Sequence, residues 1–217
     1  KDSLEKYLKL NEKIAYEGMR VLAVAQLKHY SGDGTELAMK NALDKKIEFL
    51  GFVGIMDPPR EDVKSAIKET HSAGIRTIMI TGDHPKTAQI IAKKIGMEKT
   101  DKVISGKEMD RMNDEELAKE ISSTSIFARV SPENKLQILS ALNIHQEVTA
   151  MTGDGVNDAP ALNEADIGVA MGIRGTQVAK DASDMILLDD EFSTIVHSVK
   201  NGRVIFDNIE KFINFLF

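Results

Sequence analysis

The chain has 217 residues, 42% hydrophobic and 29% charged, enough for one well-packed domain or one domain plus part of another, and too apolar for a disordered segment. Lys and Arg number 28 against 34 Asp and Glu, and the resulting net charge of -6 excludes the broad basic field that holds a nucleic-acid backbone. The absence of cysteine excludes disulfides, thiol nucleophiles and thiolate metal sites, and fits a reducing compartment such as the cytosol.

Residues 1–10 alternate charges with Leu and Tyr and lack the continuous apolar stretch of a secretory signal. Leu4, Tyr7, Leu8 and Ile14 instead predict a helix over residues 3–16, and after Gly18 the run 21–25 predicts a buried strand. Ser31, Gly32, Asp33 and Gly34 read as a polar turn, followed by a second apolar run at 47–56. Beyond Asp57, Pro58 and Pro59 a regular alternation begins. Val63, Ala66, Ile67 and Thr70 share one helical face, and Gly74 stops that helix. A strand over 75–80 ends at Thr81, Gly82 and Asp83, and Pro85 then suits the first turn of a helix lined by Ala88, Ile91, Ala92 and Ile95 and closed by Gly96.

Residues 101–105 read as a surface loop. A strand at 126–128, a helix opened by Ser131 and Pro132, a strand at 148–151 and short apolar runs at 167–170 and 185–188 continue the pattern. The last helix, from Phe192, carries Ile195, Val199, Ile205, Ile209 and Phe212, and the chain closes on an apolar cluster. No uncharged apolar run approaches the ~20 residues that cross a bilayer. Strands alternating with helices of this length predict an α/β fold, a Rossmann-like parallel sheet with helices on both faces, whose chemistry lies beyond the carboxyl ends of the strands.

Three segments at such ends carry candidate chemistry. The loop Thr152, Gly153, Asp154, Gly155, Val156, Asn157, Asp158 holds two carboxylates four residues apart, which suit an oxygen-seeking ion such as Mg²⁺. A turn with Asp158 capping the next helix explains the same residues. Thr81 and Gly82 offer a hydroxyl and an amide to phosphate oxygens near a helix N-terminus, or simply make a strand-to-helix turn. Lys135 stands where its ammonium could offset the charge of a transferring phosphoryl group, or where it is merely solvated. Their order, each at the end of a successive strand, favours the chemical reading.

Met56-Asp57-Pro58-Pro59-Arg60, Thr81-Gly82-Asp83, Ala128-Arg129-Val130 with Lys135, and the run from Thr152 to Leu162 together resemble the phosphorylation domain of P-type ATPases, nearest to the calcium-pump-like branch. The resemblance spans residues 47–217 and implies the haloacid dehalogenase-like fold. It implies further that Asp154 meets Mg²⁺, with Asp158 supporting the ion and the loop. Asn157 and Lys135 would contact the γ-phosphate of ATP, and Thr81, Gly82 and Asp83 would hold the phosphate region. Arg129 matches an arginine near the ribose, and Asp57 to Arg60 a hinge between nucleotide-binding and phosphorylation domains. Upstream, Gly18 to Ala25 is similar to the last strand of the nucleotide-binding domain, with Arg20 at the nucleotide phosphates.

The implied organisation is a remnant of the nucleotide-binding domain at 1–46, a phosphorylation domain at 47–200 and a stalk helix at 201–217 leading towards a transmembrane segment, the whole on the cytoplasmic face of a membrane. The implied parent is an ATP-driven cation pump acting through an aspartyl phosphate. The family's Asp-Lys-Thr-Gly-Thr nucleophile motif does not occur in the chain, so the fragment by itself is expected to be inactive. Two rival readings stay open: a soluble phosphatase of the same superfamily, which needs its own Asp-x-Asp motif ahead of Thr81, and a non-catalytic nucleotide or phosphate sensor.

Overall fold

The computed structural model describes residues 2–16, 18–27, 47–56 and 58–217. The expected turn at Ser31 to Gly34 and Asp57 lie outside the described residues. The chain divides into two compact units, Lys1–Pro58 and Pro59–Phe217.

In the first unit, helix α1 (Asp2–Tyr16) accompanies an antiparallel pair, β1 (Arg20–Gln26) and β2 (Glu48–Ile55), whose register runs from Arg20 opposite Ile55 to Gln26 opposite Glu48. Tyr7 packs on Phe49, and Phe49 on Phe52, at ring separations of 4.6 and 5.0 Å. Residues 48–55 therefore belong with the first unit. The structural break falls after Pro58, later than the boundary expected at 46/47, because the second apolar run completes a hairpin-like pair with the first.

The second unit holds the α/β alternation. Its elements run α2 (Glu61–Ser72), β3 (Met79–Thr81), α3 (Pro85–Lys94), β4 (Ile104–Ser105), α4 (Gly106–Met109), α5 (Asp114–Ile121), β5 (Ile126–Ala128), α6 (Pro132–Ile144) and β6 (Ala150–Gly153). A 3-10 turn (Val156–Asp158), α7 (Ala159–Glu164), β7 (Ile167–Met171), α8 (Gln177–Asp181), β8 (Met185–Leu187) and α9 (Phe192–Leu216) complete it. Local chemistry sets several ends. Gly74 takes φ 73 and lets the Ile75 amide return to the Thr70 carbonyl, closing α2. Pro85 opens α3 beneath the His84 ring, whose Nδ1 accepts the Lys86 amide.

The strands form two parallel three-stranded sheets, ordered β3-β5-β4 and β6-β7-β8, in place of the single sheet that the alternation predicts. Among the described residues β3 and β6 each end a sheet. Strand β5 is buried on both faces, with Phe127 turned into one apolar cluster and Ile126 and Ala128 into another. Helix α6 belongs to two cores at once: Ile138, Ala141 and Leu142 join the Phe127 cluster, while Leu139 joins the cluster of Met151, Leu162 and Ala170 around β6 and β7. Ile80 of β3 packs against that last cluster as well as the Phe127 cluster.

The segment 101–105 is not wholly a surface loop. Ile104 is 2% exposed and pairs with β5, and Ser105 and Glu108 form a capping box that starts α4. The final helix begins at Phe192 as expected and packs against α2, with Val196 buried, while residues 201–217 are exposed. No helix of the described residues is long and apolar enough to cross a membrane. Phe127 lies at the centre of the larger core, so Phe127→Ala should lower unfolding stability by about 3–5 kcal/mol in a denaturant titration, and a loss under about 1 kcal/mol would contradict this packing.

Candidate functional site

The candidate residues of the second unit lie at or beyond the carboxyl ends of its strands, whereas Arg20 is the first residue of β1. Thr81 is the last residue of β3, paired in register with Ala128 of β5. Its carbonyl accepts the Val130 amide at 3.2 Å, and the Asp83 carbonyl accepts the Arg129 amide at 3.2 Å, so the loops after β3 and β5 are joined. The Thr81 hydroxyl accepts the Asp83 amide at 3.1 Å, which leaves its own proton free to donate to an anion. Gly82 is exposed, and a Cβ built on it would meet nothing within 4 Å.

Lys135 is positioned by the first turn of α6. Ser131 accepts the Asn134 amide, and the Asn134 side chain accepts the Ser131 amide at 3.0 Å, with Pro132 between them. Asn134 is 2% exposed and also donates to Asp110 and Gln137 at 2.9 Å each. This fixes the turn that carries Lys135, whose ammonium reaches across to the Asp158 carboxylate.

Asp158 turns back into its own loop. Its Oδ2 accepts the amides of Asp154 and Gly155 at 3.1 and 2.9 Å, while Oδ1 takes the Lys135 ammonium. Although Asp158 stands at the position before α7, its side chain does not cap that helix. Burial alone would raise its pKa, but the Lys135 ammonium and the Gly155 and Asp154 amides outweigh that and hold the carboxyl below its ordinary value. Gly153 makes the arrangement feasible, since a Cβ there would stand 2.5 Å from the Asp158 Cβ.

Asp154 is exposed, and its carboxylate makes no hydrogen bond or ion pair among the described residues. The Thr176 amide holds its main-chain carbonyl at 2.8 Å. Asn157 is exposed on the 3-10 turn, and Arg129 is exposed beyond β5 with φ 51. The side chain of Arg20 lies outside what is described. Among the described residues no group of three His, Asp or Glu side chains converges as a metal cage. An exposed carboxylate without a protein partner among the described residues fits one ligand position of a hard dication such as Mg²⁺, which keeps most of its ligands as water or substrate oxygen, whereas an ammonium such as that of Lys135 suits the oxygens of an anion.

Sequence reasoning missed Asn134, Thr176 and Asp190, which hold the site's loops. Asn134 left a signal in the Ser-x-x-Asn capping pattern. The other two act over long separations and left none.

Parallel strands flanked by helices, with paired acidic and basic groups at their carboxyl ends, agree with the haloacid dehalogenase-like hydrolase family. The model of that family matches residues 6–166, and the chain belongs to it. Over nearly its whole length it is also similar to cation pumps. It is 51% identical over 214 residues to a calcium-transporting ATPase of Lactococcus lactis, covering 98% of this chain and 24% of that protein. It is 50% identical over 215 residues to a calcium-transporting ATPase of Listeria monocytogenes, covering 99% of this chain and 24% of that one. A sodium/potassium exporting P-type ATPase of Schizosaccharomyces pombe is 42% identical over 212 residues, with 93% and 20% covered. The chain spans between 20% and 24% of the length of these relatives.

Because Asp158 is held below its ordinary pKa, its contribution to stability is complete above the unfolded carboxylate value of ~3.9 and is lost as pH falls through the lower folded value. Asp158→Asn should cost about 1–3 kcal/mol at neutral pH and flatten the acid limb of the stability curve below ~pH 4. An unchanged acid limb in this variant would contradict the ion pair.

Proposed function

We propose that the chain is the phosphorylation-domain portion of a P-type, ATP-driven cation pump, lying on the cytoplasmic face of its membrane, with Mg²⁺ and ATP as the ligands of the edge described above. The observation that carries this reading is the contact of Lys135 with Asp158. It joins the end of one three-stranded sheet to the end of the other, so that the Thr81 loop, the Lys135 helix and the Asp154 loop share one edge.

In this reading Asp154 is a direct Mg²⁺ ligand and Asp158 supports it through the loop amides. Bound Mg²⁺ supplies charge neutralisation at the phosphoryl oxygens. The Thr81 hydroxyl and the Gly82 amide donate to those oxygens, and the Asp83 amide orients that hydroxyl by donating to it. The Lys135 ammonium, held ready on Asp158, offsets the charge that spreads over them during transfer. Asn157 contacts the γ-phosphate and Arg129 lies near the ribose. Asp57 to Arg60 serves as the hinge to the nucleotide-binding portion, and α9 as the stalk towards the membrane.

The edges of β3 and β6 support the same reading. Both strands are unpaired on one side among the described residues, and Ile80 reaches from one to the core of the other. A parallel strand seated between them would complete one seven-stranded sheet and deliver its last residue between Thr81 and Asp154, the position an acceptor aspartate needs for in-line attack on the γ-phosphate.

The chain alone should form no acid-stable, hydroxylamine-labile label from γ-labelled ATP and Mg²⁺, while a pump containing it should. Lys135→Ala in that pump should lower the rate of phosphoenzyme formation by about 10²-fold or more. Label on the isolated chain, or a full rate in the Lys135 variant, would refute the assignment.

A further inference from the structure

The best-held buried carboxylate outside the site is Asp190, 5% exposed, in the turn between β8 and α9. Its Oδ1 accepts the Ile173 amide and its Oδ2 the Arg174 amide, each at 2.9 Å, so it grips the loop that follows β7. That loop runs directly to the site, because the amide of Thr176 at its far end holds the carbonyl of Asp154. On the other side the Asp190 carbonyl accepts Nη1 of Arg60 at 2.7 Å, and α9 starts two residues later. Its neighbour Asp189 secures the first turn of α9, accepting the Glu191 amide at 3.0 Å and the Thr194 hydroxyl at 2.7 Å.

We propose that Asp190 is a positioning residue that sets the aim of Asp154 through the 172–176 loop and couples it to Arg60 and to the base of α9. Its importance for catalysis rests on the reading of Asp154 as a metal ligand; the coupling itself does not. Three features make the link stiff. Asp190 holds φ 55, a left-handed conformation that Asp and Asn tolerate and most residues do not. The Gly172 amide is bonded to the Leu187 carbonyl at 2.8 Å, tying the start of the loop to β8. A Cβ on Gly175 would stand 1.9 Å from the Met171 carbonyl oxygen, so the loop is folded back tightly on its own strand. A displacement of Arg60 or of the first turn of α9 is therefore carried to Asp154 through the Asp190 carboxylate and the Thr176 amide, without contact between either and a bound ligand.

Site-resolved amide hydrogen exchange on the 217-residue chain tests this. Asp190→Asn keeps the tolerance of positive φ but sets a side-chain NH2 against a main-chain N–H where an acceptor stood. Exchange should quicken about tenfold or more at Thr176 and Gly155 as well as at Ile173 and Arg174. Acceleration confined to Ile173 and Arg174 would mean a purely local role and overturn the proposal. Should that variant not fold, Thr176→Pro decides: φ -66 at this position suits proline, and the change removes the donor to Asp154 while leaving Asp190 untouched. Gly155 should then exchange faster with Ile173 and Arg174 still protected, and Thr176→Ala, which keeps the amide and loses only the hydroxyl that accepts the Ala179 amide, should exchange like the parent at Gly155. Unchanged exchange at Gly155 in the proline variant would overturn the coupling. Exchange is read without metal or nucleotide, so coupling that holds while ATP and Mg²⁺ find no site condemns the reading of the site alone.

Discussion

The arrangement depends on one ion pair. Lys135 stands in the first turn of the helix after β5, Asp158 closes the loop after β6, and their contact ties together the ends of two separately hydrogen-bonded sheets that α6 and Ile80 already pack side by side. Asp158 serves both sides of that contact, taking the ammonium on one oxygen and two loop amides on the other. A carboxylate saturated in this way is an organiser of the loop. It frees Asp154, its partner in the same motif, to face outwards with an unengaged charge.

The site therefore separates two functions that the sequence presents as a matched pair of aspartates. Asp154 presents exposed negative charge, whereas Asp158 supplies the rigidity that aims it. The same division recurs around Lys135, where the buried amide of Asn134 fixes the helix turn and the ammonium itself is partly accessible. Groups that touch a phosphoryl oxygen must be held by groups that do not, because small displacements at a reacting centre cost large factors in rate.

Much of this was legible in the residues. The apolar faces of α2 and α3, the proline openings at Pro85 and Pro132 and the strand at 126–128 follow from periodicity and capping, which are local. The edge that carries Thr81, Lys135 and Asp154 followed from their order along alternating elements. What was not legible depends on distant partners. Ile104 becomes a strand only because β5 lies beside it, although Ser105 and Glu108, and Asn113 and Glu116, carried capping patterns that marked α4 and α5. Asp190 takes its meaning from Ile173, Arg174 and Arg60, the last 130 residues away. Whether six strands make one sheet or two is set by which edges meet, and no local pattern records that.

Nuclear magnetic resonance with substoichiometric Mn²⁺ in place of Mg²⁺ measures the central claim directly, by paramagnetic broadening of amide signals. If one carboxyl edge binds the metal through Asp154, broadening should concentrate at Gly82, Gly155 and Thr176, spare Gly74 and Ser125 at the opposite ends of the strands, and vanish in Asp154→Asn. Broadening centred on Gly74 and Ser125, or undiminished in that variant, would contradict the account.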